Sequence, residues 1–226
     1  MDEGSAAGKA AVELARSVGD PVLLGECLVA LGEVTGDPLE SMVILQEALA
    51  VTRYTGDRLY TALAHDDFGT AFLIKDDLEA ARHHLEQSEQ IFHELGAPSN
   101  TPTVELGWIH LRRGNLDAAD AAFTETLRVF ERCHDRIFGS VPLLALACSA
   151  AARRDWVRAS RLLGFADEQL AACGAAWTEP ERTYRDQLLA DIQRQFGAEF
   201  ERCYDSGRTS DRSELIDLAI GEPAHQ

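Results

Sequence analysis

The stretch RRGNLDAADAAFTETLRVF (residues 112–130) has a near-double upstream, IKDDLEAARHHLEQSEQIF (residues 74–92). Each opens on a short polar break and continues with Leu, an acidic residue and two alanines. A large apolar residue follows one helical turn later, and each stretch closes on Phe. The break recurs at Gly36-Asp37, Asp76-Asp77, Gly114-Asn115 and Arg154-Asp155, a spacing of roughly 38–40 residues that falls in the range of helical solenoid repeats. After each break comes a small residue (Ser41, Ala81, Ala119, Ala159) and then a large one (Leu45, Leu85, Phe123, Leu163). Another small residue or Thr stands three later, at Ala48, Ser88, Thr126 and Ala166. Small against large at helical spacing lets one helix approach its neighbour closely while the gap between them is filled. The pattern predicts an array of helix pairs.

Totals narrow the function classes. The chain has 226 residues, 46% of them hydrophobic, enough to bury a sizeable core. A formal net charge of −17 argues against nonspecific nucleic-acid binding and against anionic membranes, both of which need a basic face. Five dispersed cysteines without a C-x-x-C pair read as reduced thiols. The first twenty residues hold no apolar core of signal-peptide length, and no run of apolar residues is long enough for a membrane span. A cytoplasmic protein is expected.

Helices are predicted over residues 5–18, 21–35, 38–54, 58–75, 77–95, 101–113, 116–132, 138–153 and 155–173, with no sheet. Pro21 opens one of them, a position that suits proline. Gly56, Gly96, Gly114 and Gly174 stand where helices stop. Beyond Gly174 the character changes. Thr178 and Glu181 suggest a capping box for a helix running to about Phe196. A short helix follows, expected to stop at Gly207, and Ser210 is expected to cap a last one through Ile220. The domain division is therefore residues 1–174 for the array, its first repeat partial, and residues 175–226 for a C-terminal helical cap and short tail.

At these residues the chain resembles the tetratricopeptide repeat, a helix pair with Leu-Gly or Phe-Gly in the first helix and a small, large, small series in the second. Leu31-Gly32, Phe68-Gly69 and Leu106-Gly107 carry the first part; in the last unit Ala147 replaces the glycine and Arg154 the turn glycine. The end of the chain is similar to the end of the repeat arm in actinobacterial LuxR-type and STAND ATPase regulators and multidomain cyclases. That likeness rests on Arg161-Leu162-Leu163-Gly164, Glu181-Arg182 and Gly207-Arg208. No G-x-x-x-x-G-K-[ST] phosphate loop is present. The resemblance implies an all-α superhelix and a sensor or partner-binding arm, free-standing or excised from a larger regulator.

By the same resemblance, the first helices of the pairs line a groove at Leu63, Asp66, Thr70, Leu73, Val104, Trp108, Leu111, Arg112 and Leu144. Trp108 and Arg112 stand one turn apart, a combination enriched at binding hot spots. The competing reading is a groove filled by the terminal helices of the chain itself. His83 and His84 point in different directions and read as solvated helix surface, and His110 as a core histidine. Asp66-Asp67 and Asp76-Asp77 are expected to splay or to cap, with Asp77 placed to cap the following helix. No catalytic constellation, metal set or cofactor motif emerges. The expectation is a noncatalytic module that binds a protein or peptide; the alternative is a small-molecule sensor with a pocket in the groove near Trp108.

Overall fold

Most helices begin because an aspartate stops the turn before them. The side chains of Asp20, Asp37, Asp57, Asp77, Asp135, Asp155 and Asp211 accept hydrogen bonds from backbone N–H groups of the first turn that no helical carbonyl can reach. At three of the four recurring breaks the residue just before the cap turns left-handed: Asp76 (φ 62°), Gly114 (φ 76°) and Arg154 (φ 64°). The breaks seen in the sequence are thus a left-handed reversal followed by a cap.

The computed structural model describes residues 3–96 and 101–221. The expected short tail, residues 222–226, lies outside them. The helices are α1 (Glu3–Val18), α2 (Pro21–Val34), α3 (Pro38–Thr55), α4 (Arg58–Ile74), α5 (Leu78–Glu94), α6 (Thr101–Arg112), α7 (Leu116–Cys133), α8 (Arg136–Ala152), α9 (Trp156–Ala172), α10 (Glu181–Phe196), α11 (Glu199–Thr209) and α12 (Arg212–Ile220). No strand occurs among the described residues. The fold is an all-α helical repeat, built from helices that pack in adjacent pairs. It divides into two units, Met1–Ile109 and His110–Gln226.

In the first unit α1 packs on α2, α2 on α3, α3 on α4 and α4 on α5, and α2 also lies against α4. Its core holds Val12, Leu28, Leu31, Leu45, Leu49 and Phe68, with Leu73, Leu85 and Ile109 in a second cluster. Two glycines set the helix separation. A Cβ on Gly32 would lie 2.5 Å from Leu45 Cδ2, and one on Gly69 would lie 2.5 Å from Leu85 Cδ2. The repeated glycine of the first helix is therefore a notch for the repeated large residue of the second.

In the second unit α8 packs on α7 and α9, and α11 lies along α9; α10 meets α8, α9 and α11, and α12 meets α9. Here two glycines face backbone rather than side chain. A Cβ on Gly164 would lie 2.2 Å from the Tyr204 carbonyl oxygen, and one on Gly207 would lie 2.0 Å from that of Arg161. Gly207 does not end α11 as expected; the helix runs on to Thr209, and the glycine is there for close approach. A single carboxylate fastens the same helices. Asp167 on α9 accepts from Trp177 Nε1 (2.6 Å), from Arg185 Nη2 on α10 (2.7 Å) and from the Tyr204 hydroxyl on α11 (2.7 Å). Burial and this bond push the Tyr204 hydroxyl up to about 12.

Two predicted caps are not used. Thr178 and Glu181 form no capping box: α10 starts after a cis Glu179-Pro180 bond with no side-chain cap, and Glu179 instead accepts from Thr183 Oγ1 (2.7 Å). The last helix is capped by Asp211, not Ser210, whose hydroxyl donates back to the Ser206 carbonyl.

Gly164→Ala or Gly207→Ala is expected to cost about 1–3 kcal/mol, because a backbone carbonyl cannot rotate away from an added methyl. This loss should appear although alanine favours a helix interior by ~1 kcal/mol. Gly139→Ala is the control, since the nearest atom to its added Cβ, Phe130 Cβ, lies 3.5 Å away. Urea unfolding of the three variants checks it, and the control should be neutral or stabilised.

Candidate functional site

The nine groove positions fare differently. Leu73 is 1% exposed and packs on Leu85 and Ile109, so the fold uses it as core. Val104 and Trp108 are buried, at 6% and 3% exposure. In the second unit Leu144 has no exposed surface. Arg112 donates to the Tyr184 hydroxyl at 2.7 Å and lies over its ring, 5.4 Å from the centroid. Tyr184 belongs to α10, which also meets α8; Arg112 stays exposed and Leu111 is half-buried. Leu73 and Leu144 are enclosed by the chain's own apolar groups.

Leu63, Asp66 and Thr70 remain, together with Asp67, on one face of α4. Positions i, i+3, i+4 and i+7 of a helix line up along its axis. Leu63 rests against the core, and Thr70 and Asp67 are half-buried. Asp66 is only 6% exposed. Its Oδ1 is buried and accepts no hydrogen bond. The adjoining helix brings acid, not base. Tyr60 feels Glu26 of α2, and two turns further along both helices Asp66 and Asp67 feel Glu33 of α2. α2 and α4 lie side by side, and Glu33 raises both aspartates across that contact.

Burial, reinforced by Glu33, pushes the Asp66 carboxyl up to about 7. Asp67 is held well above the usual carboxylate range by burial and then by Asp66 and Glu33. As consecutive residues of α4 the two side chains diverge as expected, Asp66 into the buried side and Asp67 half-buried; the influence of Glu33 from α2 is what the sequence did not announce.

A second polar cluster went unnoticed because its members are far apart in sequence. Arg53 Nη2 lies 3.1 Å from His65 Nε2, and His65 Nδ1 lies 3.1 Å from His84 Nδ1. Arginine only donates, so His65 accepts at Nε2 and carries its proton on Nδ1, which donates to His84. His84 stacks on Phe68 (centroids 4.8 Å apart) and Phe72 (5.4 Å), so it is packing and not solvated surface; His83 beside it is exposed as expected. These groups line a depression of about 740 Å³ between α3, α4 and α5. Burial, then His84 and Arg53, lower His65 to about 4.

No group of three or more His, Cys, Asp or Glu among the described residues is placed to hold a metal ion. Burial pushes the Cys148 thiol up to about 12, away from the thiolate a nucleophile needs. No described helix is long and apolar enough to cross a membrane.

The two clusters give opposite pH signatures. Asp66 titrates near 7 when folded and near 3.8 when unfolded, so its charge opposes folding above pH 7, and the penalty is relieved as pH falls from 7 towards 4. Asp66→Asn is expected to stabilise the protein by about 1–3 kcal/mol at pH 8, the unpartnered amide offsetting part of the gain. The gain should vanish near pH 4 in denaturant titrations at the two pH values. His65 favours its neutral form when folded, so its contribution is complete above about 6.5 and is lost as pH falls from there towards 4. His65→Gln should therefore be least stable relative to wild type near pH 7, the gap closing towards pH 4.

No protein-family model matches the chain, and a search of curated proteins finds no match. Among solved structures it is similar to the crystal structure of BtubC (BKLC) from P. vanneervenii, with a TM-score of 0.65 and 17% sequence identity over 99% of this chain and 93% of that one. At that identity the likeness concerns the fold, and it agrees with the all-α helical repeat.

Proposed function

We propose that this chain is a noncatalytic binding or signal-sensing module of tetratricopeptide type, acting in the cytoplasm within a bacterial transcription-control or signalling system. The α4 face carrying Leu63, Asp66, Asp67 and Thr70 receives a protein or peptide partner. One observation carries this reading: Asp66 is buried with an oxygen that accepts nothing, and burial, reinforced by Glu33, makes its charge costly. Asp167 shows the contrast, an acid satisfied three times over. A group that weakens the fold is retained where a partner completes it. The sequence likeness to regulator arms supports the signalling context, and the repeat architecture supports a role in binding.

The test is affinity capture from the native host's lysate by wild type and by Thr70→Arg, read by native mass spectrometry. Thr70 is half-buried on the same face, and the variant should keep its helical circular dichroism. A protein retained by wild type and lost from the variant is the expected result. A small mass adduct lost in the same way would move the reading to the small-molecule sensor. Equal retention by both chains would remove the α4 face from the function.

A further inference from the structure

We propose that the depression between α3, α4 and α5 is a second binding site, for a small organic acid. Its carboxylate is taken by Arg53, and its apolar body rests on Met42, Phe72 and the His84 ring. None of the lining residues belongs to the α4 face of Leu63, Asp66, Asp67 and Thr70, so this site goes beyond the partner reading and does not rest on it. Charge carries the inference. The chain holds 38 acidic residues against 21 Lys and Arg, yet no acid lines the depression, whereas one arginine and three histidines do. The acids of the flanking helices are engaged elsewhere. Glu40 and Glu47 of α3 pair with Lys9 (2.8 Å) and Arg16 (2.9 Å), and on α5 Glu86 pairs with Arg82 (2.7 Å) and Glu94 with Arg58.

Arg53 is exposed, and His65 holds it in place: Arg53 Nη2 donates to His65 Nε2 at 3.1 Å, and His65 Nδ1 donates in turn to His84. His65 is itself 3% exposed, so it positions the arginine and does not meet the ligand. A guanidinium carries five N–H donors in a planar fork that matches a carboxylate. Arg53 forms no ion pair with a carboxylate among the described residues, so that fork is left to an acid from outside the chain. The surface beside it is apolar and within reach. Met42, Phe72 and His84 are half-buried, with the Phe72 and His84 rings stacked at 5.4 Å. Leu39 and Val43 of α3 add apolar groups that stay 60% and 70% exposed. The volume of about 740 Å³ falls in the range of roughly 300–1,000 Å³ typical of small-molecule sites. An apolar wall with one cation selects a ligand apolar at one end and anionic at the other. A bare inorganic anion leaves the wall uncovered, and Arg53 repels a cation.

The experiment titrates the full chain with 4-phenylbutyrate, octanoate, acetate, 4-phenylbutan-1-ol, 4-phenylbutylammonium and the peptide acetyl-Ala-Ala-Phe with its carboxylate free. Calorimetry reads the affinity, and the 1H–13C spectrum of the histidine rings reads the place. The expected result is saturable binding of 4-phenylbutyrate or octanoate with a shift of the His84 ring signal, which is assigned by its loss in His84→Gln. The alcohol and the amine should bind about tenfold more weakly or not at all, since each lacks the charge that meets Arg53. Acetate, without an apolar body, should not saturate at the same concentrations. Arg53→Gln should lose about tenfold in affinity for the acids. Val43→Asp sets an acid on the exposed wall and should weaken the acids about threefold without weakening the alcohol. Circular dichroism checks that both variants fold, and Val43→Asp decides if Arg53→Gln does not. Failure of both acids to saturate, binding of the alcohol, the amine or acetate as tight as theirs, or wild-type affinity in the deciding variant overturns the proposal. Tighter binding of the peptide than of either acid overturns the assignment to a small molecule.

Discussion

Everything in the first unit depends on how closely the two helices of a pair approach. Gly32 and Gly69 remove one side chain from the first helix at the point where Leu45 and Leu85 of the second fill the space. Both leucines are fully buried, so the notch is occupied and no cavity is left. Because the two glycines stand at corresponding places, the pairs share one geometry, and α2 comes to lie against α4. Across that contact Glu33 adds to the burial that raises Asp66 and Asp67.

Two carboxylates show how the fold treats acid in two different ways. Asp167 sits among Trp177, Arg185 and Tyr204, and its three partners tie α10 and α11 to α9. Its charge is compensated by Arg185, whose own proton is held more tightly by the same bond. Asp66 has like charges for neighbours and an oxygen left over. In a low-dielectric setting a charge without its partner is costly, whereas a paired one is tolerated. The same residue type is a fastener at one place and a liability at the other.

The architecture was legible in the sequence because its signals are local. Asp-containing breaks, left-handed residues and the glycine–leucine register each act within one helix pair, and the helices fell where the periodicity put them. The misses have a common cause. Thr178 and Ser210 looked like caps by sequence spacing, but a cis proline and Asp211 take those ends. Gly207 looked like a stop and is instead a contact, because its reason lies on Arg161 of another helix. The influence of Glu33 on Asp66, the His65–His84 pair and the Asp167 hub all join residues of separate helices, and no spacing along the chain announces them. The burial of Asp66 and its oxygen without a partner were not legible along the chain, because neighbouring helices create them.

The second unit shows how the chain covers the end of its own array. A helical repeat exposes apolar surface at its end, and something must cover it. Here α10 supplies Tyr184 to Arg112 and lies against α8, where Leu144 is wholly enclosed. Gly164 and Gly207 then bring α11 onto α9 at backbone contact. The end of the second unit is thus closed by backbone contact and by apolar burial together. On α4 of the first unit the core is complete while Asp66 keeps a buried oxygen without a partner, so packing and polar satisfaction are settled separately in the two units.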